Sequence, residues 1–277
     1  MSIRIHPESE THTVAGRRIA LRRIPARRAD APVLVFLHEG LGSVELWRDV
    51  PDVLAERTGC GAVVYSRYGN GFSEILHEPR TLRYMHDEAL VSLPALLECC
   101  GIAPERAVLV GHSDGASIAL IYAGSGMASP AGVVLEAPHL FVERRSLRGI
   151  AEAKRRFLDG DLRARMMPYH ADADATFSGW NDIWLSPAFR EWNIEEYVAR
   201  VTCPVLAIQG ADDAYGTLRQ LQRLRRLARG SVDTLVLAAC GHDPHRERRE
   251  LVLAAITGWL AGLVLGGIDS SPSPKRV

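Results

Sequence analysis

Five short runs set the fold class of this chain. Pro32–Leu37, Gly61–Tyr65, Ala107–Val110, Gly132–Glu136 and Pro204–Gln209 are rich in Val and Leu and show no polar alternation. A strand with one wet face alternates apolar and polar residues, whereas a strand covered on both faces does not. Helix-period sequence separates the runs at Trp47–Arg57, where Pro51 should interrupt the helix early, at Thr81–Cys100, and at the small, apolar stretch Ser117–Ala123. Strand and helix in alternation predict a mostly parallel central sheet flanked by helices, the α/β class. An arginine-rich amphipathic helix at Thr217–Ala228 and a last strand at Thr234–Ala238 complete the pattern. Ile3–Arg23 alternates about Ala15-Gly16 and reads as a hairpin at the sheet edge.

One stretch breaks this alternation. His139–Arg200 is helical, charged and aromatic, and holds three of the five tryptophans and four of the six phenylalanines. It reads as a helical cap inserted over the C-terminal edge of the sheet, its aromatics lining an apolar pocket or packing the cap's own small core. The chain then divides into a core in two parts, 1–138 and 201–265, a cap at 139–200, and a Gly/Ser/Pro-rich tail at 266–277 that reads as disordered.

Composition narrows the partners. Lys plus Arg and Asp plus Glu stand at 33 each, so no global field draws the chain to nucleic acid or to an acidic membrane. Six arginines between Arg17 and Arg28 would suit a phosphate-binding arm, but a charged edge that deters strand addition is the simpler reading. Leu251–Ile268 is uncharged and long enough for a marginal membrane span, with Gly258, Gly262 and Gly266 at every fourth position. The expectation is instead a last helix buried against the sheet, its glycine face closely packed and its end near Gly266-Gly267. Cys60, Cys99, Cys100, Cys203 and Cys240 show no paired metal spacing and read as reduced thiols. With no apolar signal core at the N-terminus, they suggest a cytoplasmic protein, as a monomer or homodimer.

The chemistry starts at Gly111-His112-Ser113-Asp114-Gly115, a G-x-S-x-G pattern between a strand run and a helix run. Such a turn leaves the serine hydroxyl exposed at a helix N-terminus, where free N–H groups favour developing negative charge. A serine needs a base within hydrogen-bond reach, and an imidazole base needs a carboxylate on its other nitrogen. Strand ends of a parallel sheet open on one edge, so distant residues can converge there. Two later strand ends supply Gly210-Ala211-Asp212-Asp213 and Cys240-Gly241-His242-Asp243-Pro244-His245. The expected triad is Ser113, His242 and Asp213, with Asp212 and His245 as competitors for the last two roles. The expected oxyanion donors are the backbone N–H groups of Asp114 and of Gly40, with Glu39 as the alternate to Gly40. His242 and His245 could also suggest a metal site, but no third ligand stands nearby in sequence, and no metal site is expected.

These pieces together resemble the α/β-hydrolase superfamily from about Ile19 to Gly262. His38-Glu39-Gly40-Leu41-Gly42 resembles its H-G-G-x-G oxyanion loop, and Arg67-Tyr68-Gly69-Asn70-Gly71-Phe72-Ser73 resembles its R-x-G-x-G-x-S stretch. The resemblance implies an α/β-hydrolase fold with a helical cap. Serine at the elbow sets the chain apart from the dehalogenase and epoxide-hydrolase branches, which use aspartate there. Two departures stand out: Glu39 where glycine is usual, and Asp114 where a small or apolar residue is common. The elbow is similar to that of the valacyclovir-hydrolase (biphenyl-hydrolase-like) branch, where an aspartate after the nucleophile recognises an amino group. Two acids near the serine would suit a substrate with a cationic group; equally, each could bond internally to Arg67, His38 or His139.

The function this implies is hydrolysis of a small carboxylic ester through an acyl-enzyme, with no metal or organic cofactor. The alternatives are a carbon–carbon bond hydrolase of ring-cleavage products with the same triad, or a ligand-binding homologue without turnover. Glu39, His139, Trp180 and Trp184 are the candidate substrate-binding residues.

Overall fold

The computed structural model describes residues 3–266. The expected tail lies outside the described residues from 267 onward. Eight strands form one sheet in the order β1-β2-β4-β3-β5-β6-β7-β8. They are β1 (Glu10–Val14), β2 (Arg17–Ile24), β3 (Val33–Leu37), β4 (Gly61–Tyr65), β5 (Ala107–His112), β6 (Gly132–Glu136), β7 (Val205–Gly210) and β8 (Val232–Leu237). β3 to β8 pair in parallel; β1 and β2 join antiparallel at one end.

The missing polar alternation has a plain cause. Leu34 and Phe36 of β3, with Val108 and Val110 of β5, face one core, into which the helices Val50–Thr58 and Arg249–Gly266 send Leu54, Val252, Leu253, Ile256 and Leu260. Val35, Leu37 and Leu109 face the other core, filled by Leu93 and Leu96 of Leu93–Cys99 and by Ile118 and Ile121 of Asp114–Ala123. Both faces are dry, and a fully buried side chain such as Phe36 contributes roughly 1.5–3 kcal/mol.

Several expectations need correction. Pro51 does not interrupt its helix: it sits in the first turn, where a proline's missing N–H costs nothing. Thr81–Cys100 is not one regular helix, since a π-turn at Glu88–Ser92 joins Tyr84–Asp87 to Leu93–Cys99. The hairpin strands begin only at Glu10, and β1, not β2, is the edge. Each of the six arginines from Arg17 to Arg28 stands within 4.0 Å of a carboxylate. The last helix packs on the sheet as expected, but its glycine face is not closely packed: a Cβ at Gly258 or Gly262 would meet nothing within 4 Å. Among the described residues, no helix is long and apolar enough to cross a membrane. The five cysteines are free thiols.

Residues between β6 and β7 form no strand. They fold into the helices Arg144–Asp159, Leu162–Met166, Ala173–Leu185 and Glu195–Val198 with short 3-10 turns, apart from one isolated bridge between Phe141 and Asn193.

Candidate active site

The turn after β5 is too tight for side chains. A Cβ at Gly111 would collide with the Gly115 carbonyl, and one at Gly115 with the Leu37 carbonyl. Ser113 between them takes φ 53°, a left-handed conformation that non-glycine residues adopt at a cost of about 1–3 kcal/mol. Its amide is tied to the Glu136 carbonyl at 2.9 Å, and the helix Asp114–Ala123 starts at the next residue.

Two other loops reach this turn. His242 follows β8, and its Nε2 lies 3.0 Å from Ser113 Oγ. Its Nδ1 lies 2.9 Å from both carboxylate oxygens of Asp213, which follows β7. The Asp213 side chain is fully buried and also accepts hydrogen bonds from Gln209 Nε2 (2.6 Å) and the Tyr215 amide (2.7 Å). Burial raises its pKa, but His242 and the Tyr215 amide outweigh burial and hold it below the ordinary carboxyl value. The competitors lie elsewhere: Asp212 is exposed, and His245 is buried with Nδ1 2.9 Å from Glu136 Oε2.

The loop after β3 is held by its carbonyls. Arg67 Nη2 donates to the Glu39 carbonyl (2.9 Å), and Asn70 Nδ2 donates to those of Gly40 (3.0 Å) and Gly42 (3.3 Å). His38 Nε2 accepts from the Arg67 amide at 2.9 Å. With the carbonyls tied back, the Gly40 amide has no hydrogen-bond acceptor among the described residues, and neither has that of Asp114.

The four candidate substrate residues have varied surroundings. Glu39 keeps 19% of its side chain exposed, with Oε2 3.6 Å from His112 Nδ1. Trp180 lies so close to Gly40 that a Cβ there would collide with the indole. Trp184, 1% exposed, donates from Nε1 to the Tyr84 hydroxyl (2.9 Å), which donates in turn to Asp114 Oδ2 (2.6 Å). Arg67 Nη2 stands 3.7 Å from the same oxygen. His139 is buried, its ring 5.8 Å from that of His242; burial, and then His242, push its pKa down to about 4.

Sequence reasoning missed Tyr215, whose ring is tilted against that of His242 at 4.6 Å, and, while it noted Arg67 and Asn70 in a motif and Arg67 as a partner for the acids, it missed that the two brace the loop after β3. It also missed His112, although that residue stood inside the elbow pattern. Among the described residues, no group of three or more His, Cys, Asp or Glu side chains could hold a metal ion.

A sequence profile described as the alpha/beta hydrolase family matches residues 34–255. The chain belongs to the alpha/beta hydrolase family. A proline iminopeptidase of Lactobacillus helveticus is 35% identical over 100 residues, which are 36% of this chain and 33% of that protein. The match thus spans about a third of the length of this curated relative. Among solved structures, a proline iminopeptidase of Mycobacterium smegmatis superposes with a TM-score of 0.71 at 18% identity, over 94% of this chain and 99% of that one. A meta-cleavage product hydrolase of Pseudomonas fluorescens gives 0.70 at 14% identity, over 91% and 97%. At such identities the superpositions speak for the fold alone.

Proposed function

We propose that this chain is a serine hydrolase that cleaves a small carboxylic ester. The carrying observation is the chain of contacts from Ser113 Oγ to His242 Nε2 (3.0 Å) and from His242 Nδ1 to both Asp213 oxygens (2.9 Å). In this reading His242 takes the Ser113 proton as Oγ attacks the ester carbonyl, and Asp213 stabilises the imidazolium. The Gly40 and Asp114 amides receive the charge on the carbonyl oxygen; one such donor is worth roughly 3–4 kcal/mol in the transition state. The proton then passes from His242 to the leaving alkoxide, and water, activated by the same imidazole, releases the acyl group. The helical stretch 139–200 acts as the cap, and Trp180 lies beside the acyl position.

The stretch shared with a proline iminopeptidase favours a second reading, cleavage of an aminoacyl amide. Such a substrate brings a cationic amine. Asp114 accepts the Tyr84 hydroxyl on Oδ2 (2.6 Å) and keeps Oδ1 without a hydrogen-bond partner among the described residues, but Arg67 Nη2 at 3.7 Å already balances its charge, and Glu39 faces His112 (3.6 Å), which ranks the ester first.

A fluorophosphonate probe followed by peptide mapping tests the nucleophile, and a label on any residue but Ser113 overturns this reading. Matched aryl esters, aminoacyl esters and prolyl amides then test the substrate class. Faster turnover of the amides would put the second reading first.

A further inference from the structure

His112 occupies the first variable position of the elbow, and the triad does not use it. Its side chain is fully buried. Its Nε2 stands 2.7 Å from the backbone carbonyl of His242, and its Nδ1 stands 3.6 Å from Glu39 Oε2. The carbonyl fixes a donor at Nε2; Nδ1 has no hydrogen-bond partner among the described residues, but a carboxylate at ion-pair distance favours a second proton there, and an imidazole has two donors only when protonated. We infer that His112 is a positioning residue that works as an imidazolium: one N–H fixes the loop that bears the base, the other faces the loop that bears the oxyanion donor, and the cation sets their spacing about the elbow. The inference rests on the assignment of Ser113, His242 and Gly40 made above.

Charged groups from three elements packed on His112 bear on this charge state. Glu39 comes from the loop after β3, and Glu136 from the end of β6. After β8 come Asp243, with Oδ1 4.0 Å from Nε2, and the rings of His242 and His245 at 5.1 and 5.2 Å. The uncharged ring of Trp47 lies edge-on at 6.5 Å. Arg246 acts on Glu39 rather than on the imidazole. Burial opposes the His112 charge, but Glu39, Asp243 and Glu136 outweigh it and push the pKa up to about 9. Once the proton leaves, Glu39 is a largely buried carboxylate without its counter-ion, and the two loops lose their common tie. A misplacement of about 1 Å at a reacting group costs on the order of 100-fold in rate.

The test combines a spectrum with a pH profile. In 15N spectra of the wild-type imidazoles, His112 is expected as an imidazolium at pH 7 that titrates near pH 9. The kcat/KM profile for an aryl ester should show an alkaline limb at the same pH. Glu39→Gln should move both toward neutral pH. His112→Gln should remove the limb and lower kcat about 10- to 100-fold, with KM little changed. A neutral His112 at pH 7, or a limb that Glu39→Gln leaves in place, overturns the inference. If His112→Gln does not fold, the wild-type spectrum and Glu39→Gln still decide. The spectrum needs no turnover, so a wrong assignment of function, which the fluorophosphonate label reports, is told apart from a wrong assignment of His112.

Discussion

His242 lies against two buried histidines, and its two flanks are built on opposite principles. Toward the sheet, His112 is ringed by Glu39, Glu136 and Asp243 and holds its proton up to about pH 9. Toward the helical stretch, His139 packs against Trp184, ring to ring at 5.3 Å, and stays neutral down to about pH 4. Burial is nearly the same on both flanks, so burial does not decide the charge. A carboxylate within ion-pair reach does: Nδ1 of each ring lacks a hydrogen-bond partner among the described residues, but that of His112 stands 3.6 Å from Glu39 Oε2, and no carboxylate stands within 4.0 Å of His139 there. One flank carries charge beside carboxylates, the other a neutral ring packed against an indole.

The largest expected effect removes the centre that both flanks serve. Ser113→Ala should lower turnover by about 10⁴-fold or more, read by steady-state kinetics. The pH dependence of unfolding should stay as it is, because the flanks set it; a changed profile would mean that they are not independent of the nucleophile. Next, Asp213→Asn should cost kcat on the order of 10⁴-fold with the chain still folded, since the imidazole loses its tautomer control.

The flanks themselves appear in stability against pH, measured by calorimetry. The folded chain keeps on His112 a proton that the unfolded chain releases above about pH 6.5, so that stability is present below 6.5 and is lost as pH rises to about 9. His139 and His170, both pushed down to about 4, and His38, well below its usual value, refuse protons that the unfolded chain binds below about 6.5. Their contribution is lost as pH falls from 6.5 toward 4. The melting temperature should therefore peak near pH 6.5 and fall on both sides. The smallest effect sharpens the contrast: His139→Phe should flatten the acid side by a degree or a few and leave the alkaline side alone. A matching change on the alkaline side would break the comparison.

Much of this architecture was legible in the chain. The runs at Pro32–Leu37 and Ala107–Val110 lack alternation because both faces of the sheet are covered, and that signal is local. Ser113, Asp213 and His242 could be placed because each follows a strand run, and parallel strand ends share an edge. The bracing of the loop after β3 was half visible: Arg67 and Asn70 stood in a recognisable stretch, but their hydrogen bonds to Glu39 and Gly40 are tertiary. The Trp184–Tyr84–Asp114 chain joins three distant segments, and no local periodicity encodes it. Pro51 was misread because a proline signals either an interruption or a start, and only the position of the first turn tells which. The π-turn at Glu88 leaves no mark that apolar spacing can resolve.

Gly40 owes its identity to a neighbour far along the chain: any side chain there would strike the indole of Trp180. Positions 40 and 180 are therefore sterically coupled. Alanine at 40 should be tolerated only beside a shortened residue at 180, and a chain that gives up the indole gains freedom in the loop after β3.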